Sequence, residues 1–250
     1  AAFKNLHIAA SGNYNLFTTT NATYDPTLHV EDCTVDAAYN VVYDSHNTQN
    51  FKSVYFGNSI VKMTVANKPF YSTKSKGAYT QQSIRLENNV FYAETPLQNY
   101  LINCGDRSQA FQMTRLQVEV TNNTIYNIYQ PNIMIRAYVL AGLTVTKNVG
   151  YYTGVTAKNY LTGVYDTAGF TADKAEVTYN YLYTAPVSDT NFWSAKHTGS
   201  YTPANNQMGD GVEAPFSSMD AAKGYFPVDA SVVKTGAGAT YDTKAWFKAE

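Results

Sequence analysis

The sequence has few cysteines, few charges and no long apolar run, and each shortage excludes a class of protein. Its two cysteines, Cys33 and Cys104, exclude a disulfide-dense miniprotein and leave no CxxC metal or redox motif. Charged residues make up 15% of the chain and the net charge is -1, so nucleic acid is not an expected partner. Because no long apolar stretch of the length that crosses a bilayer occurs, no membrane-spanning helix is predicted.

Motifs that mark common active sites and metal sites are also missing. The histidines His7, His29, His46 and His197 have none of the spacings HxH, HxxxH or HExxH, so no metal site is predicted. No P-loop or GxSxG elbow occurs, and no cofactor is predicted. The chain enters a strand-like pattern at once without a leader segment, so we expect an upstream domain or signal in the full protein.

Aromatic and hydroxyl side chains are abundant instead. Tyrosine supplies 22 residues, and 44% of the chain is hydrophobic. At 250 residues the chain is long enough for one all-β domain with a sizeable core. A weakly charged surface rich in rings and hydroxyls suits carbohydrate or protein partners better than phosphate.

One pattern recurs at intervals of about 22 to 35 residues: a strand, a tight polar turn and a second strand. The copies are LHVEDCTVD from Leu28, VYFGNSIVK from Val54, IRLENNVFY from Ile84, VEVTNNTIY from Val118, LTVTKNVGY from Leu143 and AEVTYNYLY from Ala175, with a fainter LHIAAS from Leu6. In the six clear copies the first and third residues are apolar, which predicts a strand with one buried face.

The turn within each copy has a preferred residue type. Three residues after the second inward residue stand Cys33, Ser59, Asn89, Asn123, Asn148 and Asn180. Asparagine tolerates a left-handed backbone, and its amide can bond to the same residue one coil away. The column predicts a structural ladder of Asn89, Asn123, Asn148 and Asn180, whereas the alternative is a merely Asn-rich loop composition.

A further apolar run follows each unit, so that each repeat offers three candidate strands. These runs are NLFTT from Asn15, NVVYD from Asn40, PFYST from Pro69, NYLIN from Asn99, NIMIRA from Asn132 and NYLTGV from Asn159. Hairpin turn signals between alternating strands are absent until Asp210-Gly211. The pattern predicts an all-β, single-stranded right-handed parallel β-helix, a solenoid of about 6–7 coils, over residues 1–187.

Residues 188–250 break the repeat and are rich in Pro, Gly and aromatic residues. We expect this irregular tail to pack on the same domain and to cap the open end of the β-helix. The alternative is that its aromatic residues form a ligand platform. One short helix is predicted in SSMDAAKGYF, with Ser217 or Ser218 as N-cap and Gly224 as its end.

The φxφxNN repeat in IRLENNVFY and VEVTNNTIY, with a tail ending in GATYDTKAWFKAE, resembles the pectate-lyase-like right-handed β-helix domains of uncharacterised secreted Bacteroidetes proteins. The resemblance implies an exported or cell-surface protein, on the periplasmic or outer-membrane side, that is linked to glycans and is one domain of a longer chain. It implies no particular activity, because β-helices host lyases, hydrolases, esterases and adhesins.

Outward residues of the first strand in each copy are the main candidates for a site. They form the predicted column His29, Tyr55, Arg85, Glu119, Thr144 and Glu176. Tyr55, Arg85 and Glu119 would lie on successive coils and could bind a sugar acid, or they could be a solvated face with an Arg–Glu pair. His7 and His29 could stack as neighbours in the first two coils, although separate surface positions are the favoured interpretation.

A second cluster, Asn103, Asp106, Arg107 and Ser108, follows a strand at a corner. Asp106 is a ligand-binding candidate there, although an Asp and an Arg so placed often only stabilise a turn. The weak catalytic candidates are Arg85, Glu119 and Arg107, since a lyase resembling pectate lyases would need an Arg or Lys base and a calcium-binding carboxylate cluster. A hydrolase would need paired carboxylates, and Glu119 and Glu176 would be about 9.6 Å apart.

These residues favour a non-catalytic, carbohydrate-associated domain, either glycan-binding or a surface scaffold. The alternative is a polysaccharide lyase or glycoside hydrolase of pectate-lyase-like type, with calcium only if it is a lyase. A structural spacer that presents another domain is a third possibility.

Overall fold

The computed structural model describes residues 1–10, 12–18, 26–37, 39–44, 51–73, 82–104, 116–130, 133–137, 141–152, 160–164, 175–183, 191–193, 204–209 and 213–241. Within these ranges every named element is a β-strand and no α-helix occurs. The strands form three parallel sheets that run the length of a solenoid, so the parallel β-helix that the repeat predicts is confirmed.

The first sheet has seven strands. They are β1 (Ala2–Lys4), β4 (Thr27–Glu31), β7 (Ser53–Gly57), β10 (Gln82–Glu87), β13 (Leu116–Thr121), β16 (Gly142–Thr146) and β19 (Ala175–Thr178). The second sheet has eight. They are β2 (His7–Ala10), β5 (Thr34–Ala37), β8 (Ile60–Met63), β11 (Val90–Gln98), β14 (Thr124–Tyr129), β17 (Val149–Tyr151), β20 (Tyr181–Leu182) and β22 (Gln207–Met208).

The third sheet has seven strands. They are β3 (Phe17–Thr18), β6 (Val42–Asp44), β9 (Tyr71–Thr73), β12 (Ile102–Cys104), β15 (Ile133–Ala137), β18 (Tyr160–Val164) and β21 (Asn191–Trp193). Neighbouring strands in each sheet are three apart in the chain, apart from β20 and β22, because each coil adds one strand to each sheet. The third sheet falls on the apolar runs that follow each repeat unit in the sequence.

The register of the first sheet follows the repeat residue by residue. One inward column contains Leu28, Val54, Ile84, Val118, Leu143 and Ala175, and the next contains Val30, Phe56, Leu86, Val120, Val145 and Val177. All of these side chains are buried except Ala175, which packs against the core as a half-buried residue. Stacking of like residues at one coil spacing, about 4.8 Å, therefore produces a continuous apolar interior.

Aromatic rings reinforce this interior near its N-terminal end. Phe56 and Phe70 have ring centroids 4.8 Å apart, and Phe70 lies 4.8 Å from Phe91 in the same edge-on arrangement. Such T-shaped pairs are favoured by the ring quadrupoles. The rings link the inner faces of all three sheets, because Phe56 belongs to β7, Phe91 to β11, and Phe70 directly precedes β9.

The first coil differs from the prediction made from LHIAAS. His7–Ala10 pairs with Thr34–Ala37 in the second sheet, while Ala2–Lys4 supplies the strand of the first sheet. Leu6 therefore occupies the turn position of Cys33 and not the strand position of Leu28. The pattern misled because Leu6 and Ile8 imitate an inward pair, whereas the actual strand carries one inward residue, Phe3.

The tail contains no helix at the predicted place. Residues 221–224 form a turn closed by paired backbone bonds between Asp220 and Tyr225, and the Asp220 carboxylate accepts from the N–H groups of Ala222 and Lys223. Gly224 has φ 64°, and a Cβ there would lie 2.7 Å from side-chain carbons of Ile60 and Tyr92. The turn is thus shaped by close approach to the second sheet, which local helix propensity cannot anticipate.

Tail residues 213–241 pack against the outer face of the second sheet. Phe216, Phe226 and Val233 form a second apolar cluster with Val90 and Tyr151 of that sheet. These described residues lie on the flank of the solenoid, a contact that the sequence did not predict. End-capping stays a prediction for the rest of residues 188–250.

Candidate functional site

A buried ladder of side chains fixes the corner between the first and second sheets. Nδ2 of Asn89 donates to Oδ1 of Asn123 at 3.1 Å, and Nδ2 of Asn123 donates to Oδ1 of Asn148 at 2.9 Å. Asn148 donates in the same way to Asn180, which donates to Asn206 at 3.0 Å. The ladder therefore holds successive coils in register beside the outer face described below.

Each ladder amide also bonds to the backbone. Nδ2 of Asn123 donates to the carbonyl oxygens of Leu86 and Thr121, both at 3.0 Å, and its Oδ1 accepts from the N–H of Asn89 at 2.9 Å. Ser59 continues the ladder toward the N-terminus, since its N–H donates to Asn89 Oδ1 and its hydroxyl accepts from the N–H of Cys33. Sequence reasoning missed Asn206 because no apolar strand pattern precedes it.

The left-handed backbone lies one residue earlier than the sequence suggested. The residues with positive φ immediately before the turn positions are Asn5, Asp32, Asn58, Asn88, Asn122, Lys147, Tyr179 and Asn205. The ladder asparagines themselves are absent from this set. Asparagine at the ladder is therefore explained by its hydrogen bonds, and the bend depends on its predecessor.

The outer face of the first sheet carries the predicted column of side chains. His29, Tyr55, Arg85, Glu119, Thr144 and Glu176 are register partners on successive coils, and we call them the outer column. Two residues further along each strand a second outward column contains Glu31, Gly57 and Glu87. The solenoid thus brings ring, cationic and carboxylate side chains onto one face.

Tyr55 lies along its own strand in the space that Gly57 leaves. A Cβ at Gly57 would stand 2.6 Å from the ring carbon that carries the Tyr55 hydroxyl. The His29 ring packs with its centroid 4.6 Å from that of Tyr55, and the Arg85 guanidinium carbon lies 5.7 Å from it on the other side. The half-buried Tyr55 ring therefore extends along its own strand between the His29 ring and the Arg85 guanidinium.

Carboxylates balance the cationic groups of this face. Arg85 Nη2 lies 2.6 Å from Glu87 Oε2, and Arg85 Nε lies 3.6 Å from Glu119 Oε2. Toward the N-terminus, Glu31 Oε2 accepts from Lys4 Nζ at 3.0 Å and lies 3.5 Å from His29 Nε2. The hydrogen bond from Lys4 lowers the pKa of Glu31, and the same carboxylate raises the pKa of Lys4.

The Tyr55 phenol has a raised pKa. Its partial burial is the main cause, and the negative charges of Glu87 and then Glu31 add to it. Arg85 opposes the shift less strongly. The phenol therefore stays protonated at neutral pH, where it can donate a hydrogen bond but cannot act as a base.

Most of the second candidate cluster, which follows β12, lies outside the described residues, namely Asp106, Arg107 and Ser108. Asn103 is described, and its Oδ1 accepts from Arg136 Nε at 2.9 Å and from Arg136 Nη2 at 2.6 Å. Arg136 also stacks over Tyr100, with 4.7 Å from the guanidinium carbon to the ring centroid. The contact between Arg136 and Asn103 was not predicted. Alignment of the runs NYLIN and NIMIRA would have placed these two residues at the same position on neighbouring strands.

The two N-terminal histidines do not stack. His29 is a register partner of Ala2 and Tyr55, whereas His7 belongs to the second sheet and its Nδ1 lies 2.8 Å from Thr34 Oγ1. The separation follows from the altered register of the first coil. Cys33 carries a buried free thiol.

A metal site would need several ligand side chains close together among the described residues. Among them no group of three or more His, Cys, Asp and Glu side chains is close enough together to hold a metal ion. The carboxylates of Glu31, Glu87 and Glu119 are instead paired with Lys4, His29 and Arg85. This donor set does not fit calcium.

None of the described residues belong to a helix that is long and apolar enough to cross a membrane.

Comparison with known proteins finds no matching family model, no similar curated protein and no similar solved structure.

Proposed function

We propose that the outer face of the first sheet binds a polysaccharide chain without cleaving it. The observation that carries this proposal is the Tyr55 ring, which lies over Gly57 between His29 and Arg85. The exposed part of an aromatic ring can pack against the apolar C–H groups of a sugar, and neighbouring polar groups can bond to the sugar hydroxyls.

The shape of the face supports an extended ligand. The outer column runs straight along the solenoid, with one side chain per coil from His29 to Glu176. Donors and acceptors alternate along it, because Arg85 is followed by Glu119, Thr144 and Glu176. A linear arrangement of this kind suits a polymer that lies across several coils better than a compact metabolite.

The electrostatics of the face favour binding over catalysis. Arg85 is already paired with Glu87 and Glu119, so abstraction of a proton or capture of a sugar carboxylate would first have to break those contacts. The raised pKa of Tyr55 keeps its phenol neutral. Glu119 and Glu176 are separated by Thr144, at about 9.6 Å for two coil spacings, which is too far for a retaining pair and at the upper limit for an inverting pair.

The cellular setting is part of the same proposal. Glycan binding fits an exported or cell-surface protein in which this β-helix is one domain of a longer chain. A pectate-lyase-like origin in Bacteroidetes rests only on the φxφxNN repeat and the tail motif. A polysaccharide lyase or glycoside hydrolase, and a structural spacer, are the alternatives that the experiment below separates.

The test is affinity electrophoresis on a panel of soluble polysaccharides, with the wild type and two variants. Tyr55→Ala removes the stacking ring, and we expect about tenfold weaker retention, the equivalent of roughly 1.4 kcal/mol. Tyr14→Ala is the control, because Tyr14 is 76% exposed and lies outside the first sheet. Its retention should equal that of the wild type.

The same panel is assayed for new reducing ends and for unsaturated products. Cleavage of any polysaccharide would contradict the non-catalytic proposal and would direct mutagenesis to Arg85, Glu119 and Arg107. Absence of both retention and cleavage would leave the spacer role. Equal weakening by Tyr55→Ala and Tyr14→Ala would show that the outer column is not the binding surface.

A further inference from the structure

A cavity lies within the described part of the tail and shares no residue with the outer column of the first sheet. Its volume is about 510 Å³, and its lining includes Tyr225, Pro227, Val228, Val233 and Tyr241. The volume falls in the lower half of the range of about 300–1,000 Å³ that small-molecule sites occupy. The space therefore suits a molecule of one or two rings better than a polymer.

One wall of the cavity is a loop that is bonded to the solenoid. The Gly238 N–H donates to the carbonyl oxygen of Lys147 at 2.8 Å, and the Ala239 N–H donates to Thr124 Oγ1 at 3.0 Å. A Cβ added at Gly236, which also lines the cavity, would meet no atom within 4 Å. The open space is therefore preformed beside a fixed stretch of backbone.

Two tyrosine rings form another part of the lining. The Tyr225 and Tyr241 rings have centroids 4.7 Å apart and an interplanar angle of 65°. The Tyr241 hydroxyl accepts from the N–H of Phe226 at 2.9 Å and donates to the carbonyl oxygen of Gly224 at 3.3 Å, which fixes its ring. Burial raises the pKa of the Tyr241 phenol, as expected in apolar surroundings. Fixed aromatic rings favour a further ring in an edge-on or offset contact.

The lining offers no partner for an ionic ligand. None of the described residues that line the cavity has a charged side chain, and their polar side-chain groups are the hydroxyls of Tyr225, Thr240 and Tyr241. A charged molecule that entered would lose hydration without gaining an ion pair, and this loss is costly. The cavity therefore favours an uncharged molecule with few polar groups.

We propose that this cavity binds an uncharged aromatic molecule of one or two fused rings. The ligand ring packs against the tyrosine rings and against Pro227, Val228 and Val233, and a ligand hydroxyl bonds to the hydroxyls of the lining. The proposal is independent of the polysaccharide surface on the first sheet.

The experiment titrates the whole protein by calorimetry with 2-naphthol, decahydro-2-naphthol and 2-naphthoate. The decahydro compound keeps the two rings and the hydroxyl without aromaticity, and 2-naphthoate keeps the aromatic rings but adds a charge. We expect 2-naphthol to bind at least about tenfold more tightly than either. Equal affinity for 2-naphthol and one of the other two compounds would overturn the proposal, and this comparison needs no variant to fold.

A matched pair of variants locates the site. Ala230 is exposed and lines the cavity, so Ala230→Phe should fill the space and weaken 2-naphthol binding at least about tenfold. Ala222 is an exposed alanine of the same segment outside the lining, and Ala222→Phe should bind like the wild type. Equal affinity in the two variants would place the probe elsewhere and overturn the proposal.

The competing occupant is the chain itself, because Trp246 follows Tyr241 closely in the sequence. We expect Trp246→Ala to bind 2-naphthol with the affinity of the wild type. If the wild type bound no 2-naphthol and Trp246→Ala did, the indole of the chain would fill the cavity and the proposal of a separate ligand would be wrong. Absence of binding to both proteins would overturn it as well.

Discussion

At the scale of single residues, the residue directly before each turn position between the first and second sheets has a left-handed backbone. Six of these eight positions are Asn or Asp, which adopt this conformation at low cost, but Lys147 has φ 55° and Tyr179 has φ 57°. Both side chains are exposed, so packing inside the solenoid does not explain their presence. These two corners therefore contain backbone strain that asparagine would reduce.

We predict that Tyr179→Asn and Lys147→Asn each raise the free energy of unfolding by about 0.5–1 kcal/mol. The reverse change, Asn122→Lys, should lower it by a similar amount, because Asn122 has φ 55° in the equivalent corner. Urea denaturation of the three variants measures the effect. Stability that is unchanged in all three would show that the corners impose no such preference.

At the scale of the element, the ladder makes each interior rung depend on two neighbours. Asn123 is fully buried, its Oδ1 accepts from Asn89, and its two Nδ2 hydrogens are shared among Asn148 Oδ1 and two backbone carbonyls. Asn206 stands at the end of the described ladder, is half-buried and donates to the carbonyl of Val177. Removal of an interior rung leaves more buried polar groups without partners than removal of the end rung.

Asn123→Ala should therefore lower the free energy of unfolding by about 2–4 kcal/mol, and Asn206→Ala by about half as much. Denaturant unfolding gives the two differences, and hydrogen exchange of the Asn89 amide reports the local loss of its acceptor. Losses below about 0.5 kcal/mol in both variants would mean that backbone pairing alone holds the coils and that the ladder adds little.

The strands and their register were predictable because the relevant signals are local. Apolar residues at alternate positions and a turn three residues later identify β4, β7, β10, β13, β16 and β19. Where such signals are weak the prediction failed, as in the first coil, where Phe3 is the one inward residue of its strand. The position of the left-handed residue was also predicted wrongly. The sequence does not show which of two adjacent asparagines adopts the left-handed backbone conformation.

The candidate site was predictable only in part. Alternation along the strands placed Tyr55, Arg85 and Glu119 together, but it did not predict that the Tyr55 ring lies over Gly57. That position depends on Gly57 standing where Glu31 and Glu87 stand in the neighbouring coils. The repeat alignment contained this difference, since a glycine between two glutamates leaves room for a large neighbour.

At the scale of the whole molecule, the tail joins distant parts of the chain. Ala239 N–H donates to Thr124 Oγ1 and Thr240 N–H donates to Asn88 Oδ1, across 115 and 152 residues of sequence. The apolar cluster under the tail lies on the outside of the second sheet, whereas the main core lies between the three sheets. No local pattern specifies such contacts, which is why the flank position escaped prediction.

Phe226 is the centre of this attachment. It is fully buried, its ring stacks on Tyr126 with centroids 4.0 Å apart, and its N–H donates to the Tyr241 hydroxyl at 2.9 Å. Phe226→Ala should weaken docking of the tail by about 3–5 kcal/mol. Met219→Ala is the matched control, since Met219 is 50% exposed in the same segment and should cost less than about 0.5 kcal/mol.

Hydrogen exchange followed by mass spectrometry distinguishes loss of the tail from loss of the whole fold. Because the tail packs outside the sheets, amides of residues 213–241 should lose protection in Phe226→Ala while those of the ladder keep it. Met219→Ala should match the wild type. If protection were lost to the same degree in the ladder, the tail and the coils would unfold as one cooperative unit, and the second apolar cluster would be part of the solenoid core in energetic terms.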